Sequence, residues 1–305
     1  MQIRVQNDMC SSQNEKTSEN RYFLWFARSI CLHNSYFLVT KALSRALLQI
    51  SKKCTTFASD FRNRIPIFES PHTYTNNINN NQKYRIMKNV VLIGATGFVG
   101  SALLNELVLR GHKTTAIVRD LKSVKVENPL IEYVVADATN PAELAQIAKG
   151  KDAVISAYNP GWANPRQYEE TLENYPKIVE GAKQAGVHRL LIVGGAGTLF
   201  VAPGVRLVDT GTLPEAWLPG VKSLGEFYLN TLMKEQDIDW IFFSPAGNLG
   251  NMTTGVRTGK YRLGKDDMLF DEKGESFISV EDYAVAMIDE LEQENHHQER
   301  FTAAY

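Results

Sequence analysis

From Asn89 onward the chain alternates short apolar runs with stretches of helical spacing. Asn89–Gly94 (NVVLIG) is a continuous apolar run too short for a helix, the pattern of a parallel strand covered on both faces. Phe98–Arg110 places Val99, Leu103 and Leu107 at helical intervals and ends before Gly111, a natural stop. The pattern predicts further strands at Lys113–Val118, Ile131–Ala136, Asp152–Ser156, Arg189–Val193, Trp240–Phe243 and Arg300–Ala303. A helix after the third strand has Asn140 as N-cap, Pro141 at its first position and Glu143 three residues past the cap. Three more are predicted over Arg166–Ala185, Ser223–Glu235 and Glu281–Leu291, with Asp282 helping to start the last. Strands and helices in this alternation make an α/β fold, a doubly wound parallel sheet of the Rossmann type with a small C-terminal substrate-side portion.

Residues 1–86 do not share this regularity. The 305-residue chain carries a net charge of −1, but the first 86 residues hold 12 Lys/Arg against 5 Asp/Glu, and the remaining 219 hold 21 against 29. All three cysteines (Cys10, Cys31, Cys54) lie in the first part, so residues 87–305 contain neither a disulfide framework nor a thiolate zinc site. The first part has ten Asn and only one amphipathic candidate, Phe37–Ile50. Its uncharged stretch Ser29–Thr40 is 12 residues long, short of the roughly 18–20 that a membrane span needs. The apolar patch Tyr22–Phe26 is cut by Arg28 and lacks a cleavage site, so it does not read as a secretory signal. Three readings of this poorly structured leader stay open: an organelle transit peptide, a disordered tail with its own partner, or translated upstream sequence with Met87 as the natural start. The domain proper is read as 87–305, cytoplasmic, or organellar if the leader is genuine. It is expected to be a monomer or homodimer with neither nucleic acid nor membrane as partner.

Between the first strand and first helix stands Gly94-Ala95-Thr96-Gly97-Phe98-Val99-Gly100, a GxxGxxG turn. Gly94 turns the chain sharply, Gly97 lets a diphosphate reach the backbone amides at the helix start, and Gly100 lets the helix approach the sheet. The setting, directly after an apolar strand and opening an amphipathic helix, gives the motif its weight. No GKS/T follows, so the loop is not of the ATPase type.

With these residues the chain resembles the atypical short-chain dehydrogenase/reductases, in particular the NmrA-like NAD(P)H-binding branch that includes provisionally named NADH-flavin reductases and proteins of the biliverdin reductase B type. The likeness covers Met87–Tyr305. Its other marks are Val118-Arg119-Asp120, Asp137, Gly194-Gly195-Ala196-Gly197, Ser244-Pro245-Ala246 and Val280-Glu281-Asp282-Tyr283-Ala284. It implies that Gly94, Thr96, Gly97, Phe98 and Val99 hold the diphosphate, that Asp137 meets the adenine edge and that Pro245 borders the nicotinamide. Ala157 and Tyr158, beyond the fourth strand, fall where the ligand crevice of such sheets opens.

Where an acidic residue would select NAD, the chain has Arg119, whose guanidinium matches a 2′-phosphate in charge and geometry; NADP(H) is therefore preferred over NAD(H). A tyrosine–lysine relay is missing from the expected helix: Tyr228 is followed by Leu232, and the strand end that often carries Ser holds Gly195-Ala196. None of the six histidines lies on that helix either, against the implication of the biliverdin reductase likeness. His296-His297 read as solvated, no metal constellation is visible, and no catalytic residue is assigned. What remains is hydride transfer to a flavin or similar planar acceptor, which needs stacking and a dry contact more than an acid or base. Trp162, Phe200, Trp217 and Tyr228 are the candidates for an aromatic-lined mouth, with Tyr228 and Glu226 the first to consider should an unrecognised acid exist. The alternative is a non-catalytic NADP(H)-binding redox sensor of the NmrA-like kind.

Overall fold

A computed structural model of the protein describes residues 87–249 and 255–305. The leader assigned to residues 1–86 lies outside the described residues.

The strands are β1 (Asn89–Ile93), β2 (Lys113–Val118), β3 (Ile131–Val135), β4 (Ala153–Ser156), β5 (Arg189–Val193), β6 (Phe200–Ala202), β7 (Val205–Arg206), β8 (Asp239–Ser244), β9 (Arg262–Gly264) and β10 (Glu299–Ala304). The helices are α1 (Phe98–Leu109), α2 (Pro141–Ala148), α3 (Gln167–Ala185), α4 (Leu218–Asn230) and α5 (Val280–Gln293). One sheet runs in the order β3-β2-β1-β4-β5-β8-β10-β9, parallel apart from the antiparallel edge strand β9; β6 and β7 form a separate ribbon. The chain steps outward from β1 to β3 and then returns to pair β4 with the other side of β1, Ile93 standing opposite both Ile117 and Ser156. That reversal is the switch point where doubly wound sheets open a crevice at their carboxyl edge.

Alternate residues of β1 serve opposite faces of the sheet, as a two-residue period requires. Val90 and Leu92 pack with Leu103 and Leu107 of α1 and with Tyr283 and Met287 of α5. Val91 and Ile93 pack with Leu144 of α2, Tyr175 and Ile178 of α3 and Phe227 of α4. All four β1 residues are buried, each stabilising the fold by roughly 1.5–3 kcal/mol.

The structure departs from the sequence reading at identifiable places. The helix predicted from Ser223 begins five residues earlier, because Pro219 is tolerated in a first turn and Gly220 is held against Gln167; it ends at Asn230 and gives way to a short 3-10 turn, Leu232–Lys234. The last helix is started by Ser279, whose Oγ accepts from the Asp282 amide at 3.0 Å. Asp282 faces away from the helix, and its carboxylate accepts from Thr258 N (3.0 Å), Thr258 Oγ1 (2.6 Å) and Gly259 N (2.7 Å). His296 is not solvated: its Nδ1 lies 2.7 Å from Glu290 Oε2, and its ring stacks on Phe301 at 4.3 Å. The cause is buried Arg189, which draws Glu290, Asp239 and the His296 carbonyl around its guanidinium. Strands β6, β7 and β9 were not predicted, because two or three residues are too few to display a period.

On the α1/α5 face, Glu106 is buried and accepts from Arg110 Nε at 2.7 Å and from Arg257 at 2.8 Å through both Nε and Nη2. Burial pushes its carboxyl up, but the hydrogen bonds and charges of Arg257 and Arg110 outweigh this and hold it below the ordinary glutamate value. The stability it contributes is complete above pH 4.5 and is lost as pH falls through the lower folded value. Glu106→Gln should therefore lower stability at pH 7, on the order of 3 kcal/mol. It should also flatten the acid limb of a urea-denaturation series below about pH 4.5, the slope there being the measured quantity.

Candidate functional site

The site is built by the β1–α1 turn. Gly94 has φ +78°, and a Cβ on it would lie 2.4 Å from the Ala157 carbonyl oxygen after β4. A Cβ on Gly100 would lie 1.9 Å from the Gly94 oxygen. Gly97 is different: its φ is −76°, it is exposed, and the nearest atom to an added Cβ is the Gly94 oxygen at 3.3 Å. Gly94 and Gly100 are thus glycines because of the protein's own backbone, while a Cβ at Gly97 would meet only the Gly94 carbonyl oxygen, in a tight contact at 3.3 Å that a small shift would relieve.

Helix α1 starts at this turn without a side-chain cap, as do α3 and α4, whereas Asn140 caps α2 and Ser279 caps α5. The positive end of the α1 dipole, the kind of helix end that binds phosphate, lies at Gly97, which lines the crevice, whereas Phe98 and Val99, expected to hold the diphosphate, are not part of its wall. A cavity of about 430 Å³ lies in front of it. Gly94, Thr96 and Gly97 line it on one side, Arg119 and Asp137 on the second, and Ala157 and Tyr158 on the third.

Arg119 is exposed at the end of β2. Asp120, the acid next to Arg119, caps its own turn by accepting from Lys122 N at 2.9 Å and is not part of the cavity wall. Asp137 Oδ1 accepts from Thr139 N and Oγ1 at 2.9 and 2.7 Å, which fixes the carboxylate at the rim. Its own amide donates to Glu143 Oε2 at 3.0 Å, so Glu143 steadies this loop as well as the helix cap. Tyr158 Oη accepts from Asn174 Nδ2 at 2.7 Å, and Tyr175 packs edge-on against its ring. Burial raises its pKa; the Asn174 hydrogen bond works the other way without cancelling the effect, and the phenol stays protonated.

Further wall residues escaped the sequence reading, among them Asn159, Glu170 and Asn174. Glu170 and Asn174 are four apart on α3, one position before the buried Thr171 and Tyr175, so they edge the packed face; only the orientation of that helix reveals it. Pro245 is buried directly after β8, outside the cavity wall.

The four aromatic candidates do not come together as one mouth. Trp162 and Trp217 do meet, 6.4 Å apart. Phe200 sits in the β6–β7 ribbon with the Arg206 guanidinium 5.8 Å over its ring. Tyr228 is a core residue, stacked on Phe242 at 4.6 Å beneath Arg300, and is unavailable to a substrate. Glu226 accepts a short hydrogen bond from Tyr168, tying α4 to α3. With α4 starting at Leu218, Lys222 joins the helix, but the residue four before it is leucine, so no tyrosine–lysine pair exists there. Among the described residues no group of three His, Cys, Asp or Glu is disposed to hold a metal ion, and no helix is long and apolar enough to cross a membrane.

A doubly wound sheet with a glycine turn and an uncapped helix aimed at its switch point is a Rossmann-type dinucleotide-binding protein. Residues 94–294, well over half of the chain, match the NAD(P)H-binding family, and the chain belongs to it. It is 40% identical over 214 residues to the uncharacterized protein YwnB of Bacillus subtilis, across 69% of this chain and 95% of the relative. A provisionally named epimerase from Bacteroides thetaiotaomicron is 58% identical over 72% of this chain and 98% of its own, with a TM-score of 0.67. A provisionally named NADH-flavin reductase from Streptococcus pneumoniae TIGR4 is 33% identical over 71% and 99%, with a TM-score of 0.58.

The three glycines should respond differently to alanine. Gly100→Ala and Gly94→Ala should destabilise the fold by about 1–3 kcal/mol or more, read as a fall in melting temperature. Gly97→Ala should leave the melting temperature within about 3 °C while weakening dinucleotide binding at least tenfold by calorimetry, roughly the loss of one charge-assisted hydrogen bond.

Proposed function

We propose that this protein is an NADPH-dependent reductase that serves a flavin or a similarly planar acceptor. The observation that carries the reading is the company Arg119 keeps: a guanidinium at the cavity rim beside the phosphate-binding turn, with the neighbouring acid, Asp120, turned into its own loop. The exposed Gly97 at the cavity wall and the uncapped first turn of α1 fit a dinucleotide diphosphate.

When bound, the nicotinamide supplies a hydride; everything else asked of the chain is binding, orientation and exclusion of water. The turn amides would hold the diphosphate, Arg119 the 2′-phosphate and Asp137 the adenine edge. Ala157 and Tyr158 would form the ribose wall, and Pro245 would stand behind the nicotinamide. Tyr158, protonated and engaged by Asn174, is a wall and not a base. The proton for the reduced acceptor comes from water. Epimerisation, the activity in the name of the Bacteroides relative, would call for an acid/base pair that α4 does not provide.

Arg119→Ala should raise the Kd for NADPH by about ten- to a hundredfold, the equivalent of 1.5–3 kcal/mol, and leave that for NADH nearly unchanged. Equal losses for both would discard the assignment. Steady-state NADPH oxidation with FMN, riboflavin and a quinone tests the reaction. Tight NADPH binding without turnover of any of them would instead mark a redox sensor.

A further inference from the structure

We infer that Trp162 and Trp217 form the two jaws of a subsite that takes the flat, conjugated ring system of the electron acceptor; this rests on the reductase reading above. The two indoles come from loops far apart in sequence, one after β4 and the other at the start of α4. Both are more than half exposed, at 59% and 51%, yet their rings lie 6.4 Å apart at an interplanar angle of 52°. Two large apolar rings held side by side in solvent form a receptor surface, since each has well over 100 Å² to bury against a partner.

The wedge is held from below. Gly161 N donates to Asn159 Oδ1 at 2.7 Å and Asn164 N to the Gly161 carbonyl at 3.1 Å, which closes the Trp162 loop on itself. Trp217 N donates to the Pro214 carbonyl at 2.9 Å. Gln167, 2% exposed, reaches Asn159 Oδ1 with its Nε2 at 3.4 Å and occupies the space where a Cβ of Gly220 would lie, 2.6 Å from that nitrogen. One buried amide thus joins the loop of Trp162 to the first turn of the helix that Trp217 begins. It is a positioning residue for the pair.

Location points to the occupant. Pro160, two residues before Trp162, lines the cofactor cavity, whose adenosine-side groups Arg119 and Asp137 lie toward β2 and β3. The wedge is on the β4 side, toward which the other half of a dinucleotide extends. A planar guest in contact with two aromatic faces needs them roughly 7–8 Å apart, twice a carbon–carbon contact. The indoles stand 6.4 Å apart and 52° from parallel, so they form an open wedge that a guest would enter by stacking on one face against the edge of the other.

The test measures kcat and KM for FMN, with NADPH Kd by calorimetry, on the full-length protein and on Trp162→Ala, Trp217→Ala and Trp162→Phe. KM for FMN should rise about tenfold in each alanine variant, the worth of one aromatic contact. In the same variants kcat should change less than about threefold and NADPH Kd less than about twofold, while Trp162→Phe keeps most of the affinity. An unchanged KM in both alanine variants, with NADPH still bound, overturns the subsite and spares the reductase reading. If the wild-type protein reduces no flavin, the reductase reading fails and quenching of tryptophan fluorescence by riboflavin decides the subsite. Quenching lost in the double alanine variant upholds it, and no quenching in the wild type overturns it.

Discussion

Three pieces of backbone meet at the end of β1 with no side chain between them. The Gly94 carbonyl is pressed against α1 at Gly100, and Gly94 itself is pressed against the Ala157 carbonyl beyond β4. This contact sets how deeply the first helix seats on the sheet, where its amino end points and how near the β4 loop comes to it. A methyl group at either buried glycine would push these segments apart. The placing of the β1–α1 turn, the β4 wall with Ala157 and Tyr158, and the crevice between them are therefore consequences of one close approach.

The sheet makes that approach rigid. β1 is hydrogen-bonded on both sides, and its four buried residues divide evenly between two hydrophobic clusters. Displacing the turn would disturb both. The opposite edge of the sheet is secured by charge: Arg189 gathers Asp239, Glu290 and the His296 carbonyl beneath β5. Glu106, Arg110 and Arg257 lock α1 to the segment preceding β9. The cavity lies at the carboxyl edge, and the Arg189 and Glu106 ion-pair clusters lie away from it.

Much of this was legible in the sequence because each feature is local. A buried parallel strand shows itself as NVVLIG, the phosphate turn as three glycines at fixed spacing, and the α2 cap as Asn140-Pro141. Arg119 could be read because it follows a strand whose end is marked. What failed was whatever depends on the meeting of distant segments. Tyr228 looked like a cofactor-side aromatic until Phe242 and Arg300 closed over it. The helix predicted from Ser223 starts earlier because Pro219 fits a first turn and Gly220 lies against Gln167. Glu170 and Asn174 reach the cavity only through the rotation of α3 about its axis. The meeting of Trp162 with Trp217 has no local signature at all.

The ionisation of the described tyrosines bears on what chemistry such a site supports. Each one whose pKa departs from the ordinary value is shifted upward: burial acts first on Tyr158, Tyr175, Tyr228 and Tyr283, and the Glu226 hydrogen bond acts first on Tyr168. A phenol recruited to exchange protons near neutral pH needs the opposite treatment, a neighbouring cation that lowers its pKa. Tyr228 does have Arg300 over its ring, yet desolvation prevails. The described lysines with resolved shifts, Lys183 and Lys265, are also driven upward, by acceptor carboxylates. None of these tyrosines or lysines has the lowered pKa that would suit it to exchange protons near neutral pH.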